Sequence, residues 1–278
     1  MSPTLQTDTP LYLHHLCLET PDVQRLAGFY TEHLDCRDLA LQGRCVLVGP
    51  GRALLIQAGP EARPRYLGYA VHQHVSLEKL RDRLARKGVA CAPVVDPLFQ
   101  QGSFGITDPQ ARQLVFGVST LPASSGAPAR LQHSVFQTTD LEAVTRFYVD
   151  VVGFTISDTV VDDTTRPMVV FMRSDDEHHS LAFFRGSRDV WDHHCYETTD
   201  WNSVRDWADR FAQAQVAIFF GPGRHGPGNN LVFMVTDPDG NHLEFSAELE
   251  RVDAGKPAGV WPHNERTLNS WGRAWIRT

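Results

Sequence analysis

Leu131-Gln132-His133-Ser134 through Phe147-Tyr148 repeats an earlier stretch of the chain, Leu13-His14-His15-Leu16 through Phe29-Tyr30. His15 pairs with His133, and Phe29-Tyr30 with Phe147-Tyr148, at a constant offset of 118 residues without a gap. In each copy a short alternating apolar segment leads into an acidic turn, Thr20-Pro21-Asp22 or Thr139-Asp140-Leu141. An amphipathic stretch follows and ends near Asp35 or Gly153. Period-two alternation is the mark of a strand, and an Asp ahead of an amphipathic run is the mark of a capped helix, so each copy reads strand, helix, strand.

A second unit follows in each half. Ser76-Leu77-Glu78-Lys79-Leu80 to Lys87-Gly88 matches Asp200-Trp201-Asn202-Ser203-Val204 to Phe211-Ala212, and both predict helices with a polar N-cap. Each half closes with an Asp-Pro turn and a strand: Thr107-Asp108-Pro109-Gln110 before Gln113-Leu114-Val115-Phe116, and Thr236-Asp237-Pro238-Asp239-Gly240 before His242-Leu243-Glu244-Phe245. The Pro/Ser-rich link Leu121–Pro128 marks a boundary. The expectation is an α+β fold of two tandem domains, residues 1–122 and 123–278. Each would be a curled mixed sheet with helices outside. Gly221–Gly228 reads as a flexible loop. The tail from Lys256 has no clean period, although Trp261, Trp271 and Trp275 predict that it packs.

Composition narrows the class. Hydrophobic residues make up 42% of the 278, enough for a core without a disulfide or metal staple. The formal charge of −7, with no Lys/Arg-rich block, gives no electrostatic case for nucleic acid or an anionic membrane. Five scattered cysteines without a CxxC pair exclude a disulfide framework and predict a reducing, cytoplasmic setting. Met1–Pro10 is polar, without an apolar signal core, and no apolar run is long enough to span a bilayer. Thirteen histidines are the first chemical hint.

Divergence between the halves locates the chemistry. His133-Ser-Val-Phe-Gln-Thr-Thr-Asp140 aligns without a gap to His193-His-Cys-Tyr-Glu-Thr-Thr-Asp200, which selects His193 over His194, because adjacent strand residues face opposite sides of a sheet. Glu244 follows the Asp-Pro-Asp-Gly turn on a strand that can face the same cup. Two neutral imidazoles and a carboxylate leave about three open positions on a divalent ion, the arrangement of non-haem Fe(II) oxygenases, with Mn(II) as a possible substitute. A vicinal diol can take two of those positions and O2 the third. Counted from the helix at Leu77, the first-half equivalent of His193 is Tyr69, and counted from the Asp-Pro turn that of Glu244 is Val115, so only His15 remains and a single metal centre is expected. Cys195 reads as a small pocket-lining residue and Trp191 as core or pocket wall. His14, His15, His72 and His74 read as structural or exposed.

The repeat plan, the set His133/His193/Glu244 and the closing motif Asp237-Pro238-Asp239-Gly240-Asn241-His242-Leu243-Glu244-Phe245 resemble the type I extradiol ring-cleaving dioxygenases of the vicinal oxygen chelate superfamily. The likeness runs from about Leu11 to Leu249. It implies paired βαβββ modules, an Fe(II)-dependent cleavage of a catechol-type diol by O2 in aromatic hydrocarbon catabolism, and a homo-oligomer. His178-His179-Ser180-Leu181-Ala182-Phe183 resembles the segment whose second His is the acid–base residue, which implies that role for His179. Arg224-His225-Gly226 resembles the loop whose His hydrogen-bonds substrate, which implies His225. The family's usual Tyr ten residues before the ligand Glu is here Met234, and a thioether cannot donate a hydrogen bond. Tyr196 lies at an odd offset from His193 and is no replacement. Two other functions stay open: another metal-dependent enzyme of the scaffold, such as a glyoxalase-like isomerase or a thiol transferase, or a non-catalytic protein that sequesters an aromatic ligand.

Overall fold

The computed structural model describes residues 9–122, 129–253 and 255–274. The first half runs β1 (Tyr12–Thr20), α1 (Val23–His33), β2 (Arg37–Asp38), β3 (Cys45–Gly49) and β4 (Arg52–Ala58). A second module follows: β5 (Arg63–Val71), α2 (His74–Arg86), β6 (Ala92–Pro93), β7 (Phe104–Thr107) and β8 (Gln113–Val118). The second half repeats the plan with β9 (Arg130–Thr138), α3 (Leu141–Arg146), β10 (Thr155–Val161), β11 (Pro167–Arg173) and β12 (Leu181–Arg185). It continues with β13 (Val190–Glu197), α4 (Trp201–Gln213), β14 (Ile218–Arg224), β15 (Leu231–Thr236) and β16 (His242–Ala247). The tail adds β17 (Gly259–Pro262) and the single turn α5 (Glu265–Leu268).

The acidic turns cap their helices as read: Asp22 Oδ1 accepts from the Arg25 amide at 3.0 Å, and Asp140 Oδ1 from that of Ala143 at 2.8 Å. These bonds satisfy amides that the first helical turn leaves without partners. Asp200 caps α4 in the same way. In contrast, α2 starts at His74, three residues before Leu77, with Gln73 at the cap position and no side-chain capping bond. Ser76 therefore lies inside the helix.

The strands form two mixed sheets, ordered β2-β3-β4-β1-β5-β8-β7-β6 and β14-β15-β16-β13-β9-β12-β11-β10-β17. The four βαβββ units and the α+β class are as expected. Within each half the two modules meet where β1 runs antiparallel to β5, and β9 to β13. A single buried apolar cluster extends through both halves, from Leu11 and Leu16 to Phe245 and Ala247. The halves also exchange buried hydrogen bonds across a pseudo-twofold: Tyr30 donates to Asp237 Oδ2 and Tyr148 to Asp108 Oδ2, each at 3.2 Å.

Two readings of the chain are corrected, and the expected packing of the tail holds. Gly221–Arg224 is the end of strand β14, not loop, and only the residues after it form a turn. Gly221 has φ +95°, and a Cβ there would lie 2.7 Å from Phe233 Cα, so a bare backbone is required. The tail is ordered on the second sheet, with β17 parallel to β10. Trp261 is half-buried, Trp271 is exposed beside Trp201, and Trp275 lies outside the described residues, as do residues 123–128 of the link.

The second correction concerns the first-half cup. Ladder register places Tyr66 opposite Cys17, where His193 stands opposite Val135, so Tyr66 and not Tyr69 is the equivalent of His193. The difference follows from the start of α2 at His74. Tyr69 is instead buried in the core beside Phe116. The first-half cup is filled by polar side chains that satisfy one another: His15 Nε2 lies 3.0 Å from Asp96 Oδ2, and the Tyr66 hydroxyl donates to the same oxygen at 2.6 Å. Gly68 makes room, since a Cβ there would lie 2.2 Å from the His15 ring. Among the described residues no helix is long and apolar enough to cross a membrane.

Candidate metal centre

His133, His193 and Glu244 lie on three neighbouring strands, β9, β13 and β16, at the middle of the second sheet. Register brings them together. Cys195 stands opposite His133 on one side and Glu244 on the other, and His193 lies two residues earlier on the same strand face. Glu244 is 1% exposed and occupies the centre: its Oε1 is 3.7 Å from His133 Nε2 and its Oε2 3.6 Å from His193 Nε2.

Each imidazole is held by its other nitrogen. His133 Nδ1 is 2.5 Å from Gln132 Oε1, and His193 Nδ1 is 2.5 Å from Asp192 Oδ1. An amide oxygen and a carboxylate accept only, so both Nδ1 atoms carry the proton and both Nε2 lone pairs face Glu244. Asn230 Nδ2 donates to Glu244 Oε1 at 3.3 Å and orients the carboxylate. Burial drives the His133 imidazole well below its ordinary pKa, and the neighbouring His193 adds to the fall. Burial alone would raise Glu244, but the facing imidazoles of His225 and His193 outweigh it and hold the carboxyl down at about 2. A neutral His133 beside an ionised Glu244 is the protonation state that a divalent cation needs.

His179 and His225 complete the ring around the carboxylate. The His179 ring lies 4.4 Å from that of His133, centroid to centroid, and is buried. It does not sit on a solvated hairpin tip. His225 Nε2 is 3.6 Å from Glu244 Oε2, and its Nδ1 donates to Leu268 O at 2.5 Å. Val135, Phe171, Phe184, Phe220 and Leu268 give the adjoining small cavity its apolar wall. Met234 lines it too, directly across the ladder from Glu244. Tyr196 points into the core against Phe245, as its offset required.

Several groups at the site were not assigned from the sequence. Gln132 and Asp192 stand immediately before the two histidines, but adjacent strand residues ordinarily point apart, so their return to Nδ1 was not readable. Thr267 and Leu268 reach the cavity from the tail. Cys195 is closer to the centre than expected: its thiol, a His133 nitrogen and a Glu244 oxygen lie within 4.8 Å of one another. The donor set, imidazole and carboxylate with one thiol beneath, suits Fe(II), Mn(II) or Zn(II) and not a hard, all-oxygen cation.

Residues 130–245 match the Glyoxalase/Bleomycin resistance protein/Dioxygenase superfamily. Among curated proteins it is similar to metapyrocatechase 2 of Cupriavidus necator, 33% identical over 149 residues, which are 52% of this chain and 45% of that one. It is 28% identical over 255 residues to the iron-dependent extradiol dioxygenase of Rhodococcus jostii (strain RHA1), covering 79% of this chain and 80% of that one. The stretch matched to metapyrocatechase 2 spans less than half of that protein. In fold, the chain is similar to homoprotocatechuate 2,3-dioxygenase of Brevibacterium fuscum in complex with 3,4-dihydroxyphenylacetate. The TM-score is 0.83 at 19% identity, over 99% of this chain and 93% of that one. The Mn(II)-bound glyoxalase of Novosphingobium aromaticivorans is similar in fold at TM-score 0.81 and 21% identity, over 95% of this chain and 91% of that one.

Proposed function

We propose that this protein is an extradiol ring-cleaving dioxygenase that holds one Fe(II) ion on His133, His193 and Glu244 and cleaves a catechol-type diol with O2. The observation that supports this reading is the position of Glu244 between two imidazoles whose Nδ1 atoms are already committed to Gln132 and Asp192. Such an ion, Fe(II) or Mn(II) in its place, supplies a path for electron density from an electron-rich ring to O2. The chain's own residues do the rest. His179 takes and returns a proton beside the reacting oxygen, a task that suits an imidazole. His225 holds a substrate oxygen, and its ring is anchored by the Leu268 carbonyl. Phe171, Phe184 and Phe220 enclose the aromatic ring and keep water away.

The test is anaerobic reconstitution with Fe(II), followed by a panel of catechols under O2. Yellow ring-fission products with matching O2 uptake are expected. His193→Ala should lose both iron and turnover, and a variant that keeps both would refute the ligand assignment. The proximity of Cys195 favours one second reading, a different metal-dependent enzyme with ligands His133, Cys195 and Glu244. Cys195→Ser separates the two: unchanged iron stoichiometry keeps the first, and loss of iron with His193→Ala silent selects the second.

A further inference from the structure

The cavity beside the proposed centre is apolar wherever the metal-binding groups and the two further histidines leave it. Val135 on β9, Phe171 on β11, Phe184 on β12, Phe220 on β14 and Met234 on β15 form its strand-borne wall. Behind Val135, Phe171 and Phe184, the side chains of Val160, Val169 and Ala182 continue the apolar layer. Among the described residues no lysine or arginine lines the space. Arg173, two residues past Phe171, is buried but off the wall. Arg224 is committed to Asn229 O and Glu248 Oε2, each at 2.7 Å. The Thr267 hydroxyl, on the tail side of the cavity, donates to Pro262 O at 2.6 Å.

As the tail lies, the cavity encloses about 30 Å³. That is room for a water or two, whereas a benzene-sized ligand needs about 150 Å³. The five wall strands are held in the sheet. Thr267 and Leu268 stand on the single turn α5, which is tied to the end of β14 and the turn after it by two backbone bonds, Gly226 N to Thr267 O at 2.9 Å and Ser270 N to Arg224 O at 2.8 Å. A ring therefore enters by displacing the tail, and its substituents meet the strand-borne wall.

We infer that the site selects diols whose ring substituents are uncharged and apolar, such as alkyl, aryl or halogen groups, and rejects diols that carry a carboxylate. The inference rests on the dioxygenase reading and deepens it. A carboxylate brought against this wall gives up its hydration and gains no cation, and a buried charge without a partner is strongly unfavourable. A branched alkyl group of the same shape has no such cost, and its transfer from water is favourable.

The test compares two diols of one shape, 4-isobutylcatechol and 3,4-dihydroxyphenylacetate, in which a methylene separates the variable group from the ring. Dissociation constants are read anaerobically by calorimetry on the Fe(II)-reconstituted, full-length protein, and kcat/KM is read separately under O2. The isobutyl compound should bind on the order of 10²–10³-fold more tightly. Leu268→Arg brings a guanidinium to the cavity from the tail, outside the strand ladders, and should narrow that gap by at least about tenfold. A wild-type gap below about tenfold, or tighter binding of the carboxylate, would overturn the inference and leave the dioxygenase reading in place. A folded Leu268→Arg protein with the gap unchanged would overturn it too, because the missing cation would not be the cause. If neither diol bound, the dioxygenase reading itself would fall, and the inference with it.

Discussion

The carboxylate behind His193 should decide how tightly the centre holds its metal, and the effect can be worked from the geometry. Asp192 Oδ1 lies 2.5 Å from His193 Nδ1, in a site where the His193 side chain is 5% exposed. The anion polarises the N–H bond and makes Nε2 a better donor to a cation. Asp192→Asn keeps an acceptor oxygen but removes the charge. A hydrogen bond to a charged group contributes about 1.5–3 kcal/mol and a neutral one about 0.5–1.5, so roughly 1 kcal/mol should be lost, about fivefold in affinity. Asp192→Leu removes the bond and frees the ring, and outer-sphere losses of this kind run to about 10–100-fold. Affinity is read anaerobically by competition against a chromophoric chelator. The control is a double-mutant cycle: in a His193→Ala background, Asp192→Leu should cost clearly less than in wild type, because the His193 Nδ1 contact couples the carboxylate to the metal through the imidazole. An equal loss in both backgrounds would refute the reasoning and leave only a diffuse electrostatic effect.

Three further outcomes are expected. Burial pushes the Glu197 carboxyl up to about 7, against an ordinary 4.5. The folded state therefore holds a proton that the unfolded chain releases first, and stability falls as pH rises from about 4.5 to 7. Glu197→Gln should be about 1–3 kcal/mol more stable than wild type at pH 8 in urea, with the gap closing by about pH 4.5; a pH-independent gap would contradict the assignment. Tyr30→Phe and Tyr148→Phe each remove one hydrogen bond between the halves and should each lower the unfolding free energy by about 1 kcal/mol, with the urea dependence unchanged. Met234→Tyr places a phenol across the ladder from Glu244. Overpacking should cost about 1–3 kcal/mol, and KM for a diol should change; identical KM and substrate range would mean that the position does not touch substrate.

Much of this architecture could be read directly from the chain. The gap-free offset between His15 and His133 exposed the duplicated plan, and strand alternation was enough to prefer His193 over His194. Where the reading slipped, the cause was local. Gln73 caps α2 without a side-chain bond, so the start of that helix carried no signal, and Ser76 offered a false one. The three-residue slip moved the equivalence from Tyr66 to Tyr69 and hid the His15–Asp96–Tyr66 plug. Contacts that depend on distant segments left no periodic trace. The link from Trp261 through Asp158 to His178 joins residues about a hundred positions apart, and the approach of Thr267 and Leu268 to the cavity depends on how the tail crosses the sheet.

The paired contacts of Tyr30 with Asp237 and Tyr148 with Asp108 give the first half a reason to persist without ligands of its own. Each half lends a helix to brace the turn that feeds the other's last strand, and Glu244 sits on one of those strands. A duplicated gene that dropped its spare copy would lose the brace along with the redundant cup. The plugged half thus serves as scaffolding for its twin, through a rim that grips the turn ahead of Glu244.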